Sequence, residues 1–128
     1  AGTAGGSNYI YNHELGDTDD GSAMTSFIES SDFDLDPAGE QFMFLTRLIP
    51  DIDITTDTSA TVDYIIKTRN YPGDTLATNS TNAVSSTTQQ TFLRARARQA
   101  AVRIQSSATD IAWTLGDLRL EARPDGKR

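Results

Sequence analysis

Three arginines on alternate residues, Arg94, Arg96 and Arg98, with Leu93, Ala95 and Ala97 between them, form the most pointed chemical pattern in this sequence. In an extended strand successive side chains point to opposite faces, so the spacing puts guanidiniums on one face and small apolar groups on the other. The planar guanidinium fork binds carboxylates at two points, which suits the acids of a neighbouring strand or a neighbouring subunit. The row is therefore read as an interface. Nucleic acid fits it poorly: base stacking needs interleaved aromatics, only Phe92 and Trp113 lie near, and the chain's net charge is −7.

Other residue types able to do chemistry lack companions. Cysteine is absent, which excludes disulfides and thiolate metal sites. His13 is the only histidine, and with no second ligand or nucleophile beside it reads as a solvated side chain rather than a base. Asp32, Asp34 and Asp36 have the spacing of the first ligands of an EF-hand loop, but Pro37 stands where that loop needs Gly and Met43 where it needs a bidentate Glu. These acids, like Asp17, Asp19 and Asp20 and like Asp51, Asp53 and Asp57, are read as turn-setting residues. Asn79, Ser80 and Thr81 make a formal glycosylation acceptor, with nothing else in the sequence to support a secretory route. No enzymatic activity, metal or cofactor is expected. Tyr71 and Trp113 are the stacking platforms to consider if the domain binds a glycan, although Trp113, alternating with Ile111 and Leu115, reads first as core.

The elements that must position these residues are strand-like throughout. A strand is expected within Met24–Leu35, broken at Ser30 and Ser31; another over residues 40–49, apolar on both parities and so read as buried on both faces, ending at Pro50. Ile52 and Ile54 alternate in a short polar segment, and residues 61–69 alternate more cleanly, with Val62, Tyr64 and Ile66 on one side. Tyr71, Pro72, Gly73 and Asp74 mark a turn. Residues 75–91, rich in Thr, Ser, Asn and Gln, are read as a long polar loop and as the loop best placed to touch a partner or a host surface. In the last third the alternation slips twice, near Gln99–Ala101 and at Gly116 and Asp117, where a β-bulge or tight bend is expected. A helix over the arginine stretch is the competing reading, since Ala, Arg, Gln and Leu favour helices; strict alternation and the strand-like surroundings favour the strand. The expected fold is all-β, a sandwich of antiparallel strands, jelly-roll or immunoglobulin-like, with long polar loops.

Charge divides the chain. Residues 92–128 hold seven Arg and one Lys against four acids, a local net of +4, which leaves −11 for the rest. Either strands from the two parts lie side by side and their charges pair, or opposite patches meet between copies of the chain. No apolar run is long enough to span a membrane, and no membrane partner is expected.

The run Arg94-x-Arg96-x-Arg98-Gln99, the apolar strand carrying Arg103, the Trp113-x-Leu115-Gly116 segment and the closing Arg-Pro-Asp-Gly-Lys-Arg together resemble the C-terminal end of tail proteins from short-tailed bacteriophages, of the tail tubular protein B or nozzle type. Earlier stretches, DGSAMTSFIESSDFDL, GEQFMFLTRLIPDIDI and a strand ending KTRNYPG, fit the same pattern, so the resemblance covers about Asp20 to Arg128. One departure is Ala97, where the family pattern often carries Gly. The resemblance implies a virion structural domain in a bacteriophage tail, with copies of itself and neighbouring tail proteins as partners. On this reading residues 1–22, small and polar around Tyr9, Ile10 and Tyr11, are a flexible arm or linker, and residues 23–128 are the sandwich, the C-terminal domain of a longer chain. The alternative is a carbohydrate- or surface-binding module of the same fold.

Overall fold

A computed structural model describes residues 16–56 and 59–128. His13, the Tyr9–Ile10–Tyr11 island and Asp57 lie outside them. The described residues form eleven strands and no helix: β1 (Thr18–Asp19), β2 (Ser22–Ala23), β3 (Ser26–Glu29), β4 (Met43–Ile49), β5 (Ile52–Ile54), β6 (Val62–Arg69), β7 (Ala77–Val84), β8 (Thr91–Ala97), β9 (Gln99–Ser106), β10 (Trp113–Leu115) and β11 (Arg119–Pro124). All strand pairs are antiparallel. A four-stranded sheet in the order β3-β9-β6-β7 packs on a three-stranded sheet in the order β11-β4-β8, with the short pairs β1-β2 and β5-β10 at the margins. The fold is the expected all-β sandwich, and the arginine stretch is extended chain.

The core follows from period-two alternation. Val62, Tyr64 and Ile66 of β6 and Ala100, Val102 and Ile104 of β9 meet Met43, Leu45 and Leu48 of β4 and Leu93 and Ala95 of β8. Each large aliphatic side chain withdrawn from water here stabilises the fold by roughly 1.5–3 kcal/mol. The step from Leu45 to Leu48 on one face is possible because the β4–β8 register shifts between Leu45 and Arg47, where a bulge turns Arg47 outward opposite Phe92. The expectation that residues 40–49 are buried on both faces is therefore corrected: one face is core, while Phe44, Thr46, Arg47 and Ile49 are only half-buried.

The two slips in the alternation have different causes. At the first, the chain bends at Arg98 and passes from β8 in one sheet to β9 in the other, so residues of opposite parity face the shared core on either side of the bend. A corner replaces the expected bulge at Gln99–Ala101. At the second, β4 with β5 and β11 with β10 form one antiparallel ribbon that kinks where Pro50 and Asp51 oppose Gly116, Asp117 and Leu118. Gly116 donates its N–H to the Asp51 carbonyl at 2.8 Å and Asp117 donates to Asp51 Oδ2 at 3.1 Å. A Cβ on Gly116 would stand 2.4 Å from Asp51 Oδ2, so any other residue there must displace the Asp51 carboxylate.

Residues 75–91 are not one long loop. Residues 77–84 form β7, an edge strand paired along its length with β6, and only a short connection leads to β8. Within Met24–Leu35 the expected break at Ser30 and Ser31 is present: β3, shorter than expected at its start, ends at Glu29, and Phe33 then makes an isolated bridge to Ala100. Residues 18–23, astride the expected arm boundary, make the β1-β2 hairpin.

Candidate functional site

On the outer face of the three-stranded sheet the arginine row does two different things. The chain beyond β11 continues across the start of β4, with Asp125 N donating to Phe42 O at 2.8 Å and Phe42 N to Gly126 O at 2.7 Å. That path carries the last residues over to β8. Arg96 there binds the Asp125 carboxylate through Nε, the Asp125 carbonyl at 3.2 Å and the Arg128 carbonyl, and Arg98 reaches the Lys127 carbonyl at 3.4 Å. Both guanidiniums lie over the Phe42 ring, at 4.0 and 4.6 Å from its centroid, and Arg98 also lies 5.3 Å from the Tyr71 ring centroid. Lys127 adds a pair with Glu40 at 2.9 Å, which holds the ammonium above its ordinary pKa. Arg96, Arg98, Phe42 and residues 125–128 thus make one clamp.

Arg94 is left out of it. Among the described residues it has no hydrogen bond or ion pair, and it stands exposed on β8, the end strand of its sheet. Two residues earlier, Phe92 is 75% exposed, the most open of the large apolar side chains among the described residues. Beside it a shallow groove of about 230 Å³ is lined by Thr46, Arg47, Phe92, Glu121 and Arg123. Glu121 accepts from Arg123 at 2.9 Å and pairs with Arg47 at 2.8 Å, and these two cations, Arg123 first, hold its carboxyl below the usual range.

A second ionic group, on the outer face of the four-stranded sheet, escaped the sequence reading. Glu29 of β3 takes Lys67 Nζ at 2.8 and 2.9 Å and Arg103 at 3.1 Å, and its pKa is lowered, by the Lys67 hydrogen bond first and by Arg103 second. Arg69 pairs with Asp32 and donates to Gln99 at 2.8 Å. The trio Asp32, Asp34 and Asp36 is dispersed accordingly: Asp32 goes to Arg69, while Asp36 closes a turn by accepting from Ala38 N at 3.1 Å and Gly39 N at 2.7 Å. The outward parity of Lys67 and Arg69 was visible in the sequence; which acids they would face depends on β3 joining the sheet beside β9.

Tyr71 and Trp113 do not form one platform. Tyr71 lies beside Arg98, next to the Gln99 end of β9, whereas Trp113 donates its indole N–H at 3.0 Å to Ser106 at the other end. Seven residues of strand separate those ends, roughly 23 Å at 3.3 Å per residue. Tyr71 is 61% exposed. Trp113 is half-buried against the core and lines, with Asp17, Met24, Ser26, Phe27, Ile111 and Ala112, an open groove of about 370 Å³. Of the buried groups, Tyr64 has its hydroxyl pushed up to about 12, by burial first and the Asp51 charge second, so at neutral pH it stays protonated.

No protein-family model matches the chain, and no curated protein is significantly similar to it.

Proposed function

We propose that this chain is a structural domain of a bacteriophage tail, located in the virion and acting through packing against copies of itself and neighbouring tail proteins, not through catalysis. One observation carries the reading. Two segments that carry the tail-protein resemblance, the arginine row and the closing Arg-Pro-Asp-Gly-Lys-Arg, are the two halves of a single clamp, joined through Arg96, Arg98 and Asp125 across Phe42. They work together as architecture: a sheet face is bound down and its end strand is left presenting Phe92 and Arg94. The test begins with the complete reading frame and its genomic neighbours. Virion genes on either side, and the protein found in purified particles with immunogold label at the tail, are the expected results. A frame flanked by non-viral genes, or particles lacking the protein, would remove the reading.

The glycan-binding alternative keeps Tyr71, 61% exposed, and Trp113 as two separate faces, the second in a groove with Phe27 and the Asp17 carboxylate. A specific glycan-array signal abolished by Tyr71→Ala or by Trp113→Ala would favour it and say which face binds.

A further inference from the structure

We propose that the exposed end of the three-stranded sheet, β8 with Phe92 and Arg94, receives the acidic stretch 16–29 of a second copy of this chain. The inference rests on the packing role proposed above and names the surfaces that carry it.

The receiving surface is apolar and cationic. Phe92 lies open to solvent, Arg94 has no partner among the described residues, and Arg47, directly opposite Phe92 on β4, is already held by Glu121, so Arg94 is the cation left to a partner. The strand is also the end of its sheet, so on one side its backbone N–H and C=O groups have no strand partner among the described residues. Natural proteins blunt such edges with inward charges, proline or a covering loop, and β8 carries no proline and presents a phenylalanine.

The donated surface is its complement. Residues 1–46 contain no Lys or Arg, and Asp17, Asp19 and Asp20 at the β1-β2 hairpin have no ion pair among the described residues. Directly after them come three apolar side chains about half exposed, Met24 at 50%, Phe27 at 56% on the outer face of β3 beside the Arg103 guanidinium, and Ile28 at 52% on the opposite face of the same strand. Ile28 pairs across the strands with the buried Ile104 and so belongs to the core-facing side of its sheet. It stays open because three strands cannot cover four, and β3 overhangs the opposite sheet. Carboxylates followed by uncovered apolar groups are what a surface of Arg94 and Phe92 requires, and complementary potential of this kind selects the partner and its orientation.

The two surfaces are unlike and sit on end strands of different sheets, and the contact proposed is head-to-tail, not reciprocal within a closed dimer. One copy joined to another leaves one of each surface unfilled, and association continues past the dimer. That property gives the test. Sedimentation velocity of the 128-residue chain over a concentration series is expected to show species larger than two copies. Arg94→Glu breaks the receiving surface, and Phe27→Glu breaks the donated one while leaving a carboxylate that can pair with Arg103, whose guanidinium lies 3.8 Å from the Phe27 ring. Each variant alone is expected to associate at least about tenfold more weakly. Their equimolar mixture is expected to form a 1:1 pair and nothing larger, because each supplies the one intact surface the other lacks, and recovery in the mixture shows that both are folded. A wild-type chain monomeric at every concentration, or a mixture that stays monomeric, overturns the proposal. So does wild type stopping at a dimer. None of these outcomes depends on whether the protein is found in a virion, so the two readings can fail separately.

Discussion

Glu29 shows what a single residue does in this fold. Two cations on neighbouring strands hold its carboxylate, and its folded pKa lies below the ordinary value. A carboxyl whose pKa is depressed by folding adds stability that is complete above the unfolded pKa and is lost as pH falls through the folded one. Glu29→Gln should therefore lower the unfolding free energy by roughly 1 kcal/mol at neutral pH, the upper end for a partly exposed group. Urea titrations repeated toward acid should show that difference closing below the carboxylate range; a difference constant with pH would mean that charge is not its origin. Arg96 is a different case, since its gain is spread over a carboxylate, two carbonyls and the Phe42 ring, all at least partly exposed. Arg96→Ala should cost about 1 kcal/mol and expose residues 125–128 to carboxypeptidase, with Arg94→Ala as the control that changes neither. The sequence made the arginine face legible through alternation. It did not separate Arg94 from Arg96 and Arg98, because that depends on where the chain goes after Pro124.

At the scale of elements, both breaks in the alternation were legible; the tight bend expected at Gly116 and Asp117 is present, whereas the bulge expected at Gln99–Ala101 is a corner between sheets. A change of parity says that one side of the chain stops facing the core; it does not distinguish an extra residue within one sheet from passage to a second sheet. Arg98 is the second case, and Gly116 lies in the kinked ribbon where β10 gives way to β11. Residues 77–84 were misread for a related reason. An edge strand with one buried apolar side chain, Val84, has almost no periodic signal, and its Thr, Asn and Ser residues resemble a loop. The kink is testable at Gly116. An added methyl meets Asp51 Oδ2 at 2.4 Å, so Gly116→Ala must push aside the carboxylate that accepts from Asp117 N. A loss of about 1–3 kcal/mol is expected. Asp51→Ala, which removes the obstacle together with its hydrogen bond, should make the glycine substitution cheaper in the double variant. Strict additivity of the two changes would show that the contact is not what fixes glycine there.

For the molecule as a whole, the division of charge along the chain is partly resolved within it. Glu29, Asp32 and Glu40 from the acidic front take Lys67, Arg103, Arg69 and Lys127 from further on, and among the charges outside any ion pair of the described residues are Asp17, Asp19 and Asp20 at one margin and Arg94 at another. The apolar surface is divided in the same way, with the overhang of β3 leaving Ile28 half open while its cross-strand neighbour Ile104 is buried. These two isoleucines share a face and differ only in what covers them. Ile104→Thr buries a hydroxyl where a methylene was packed and should cost about 2–4 kcal/mol, whereas Ile28→Thr at half exposure should cost less than about 1 kcal/mol in the monomer. If another copy covers β3, the ranking changes with concentration: Ile28→Thr should leave the dilute protein's melting temperature nearly unchanged and remove the rise that association adds at high concentration. A melting temperature independent of concentration in the wild type would mean that the overhang is simply tolerated exposure, and the acidic margin beside it would then face only solvent.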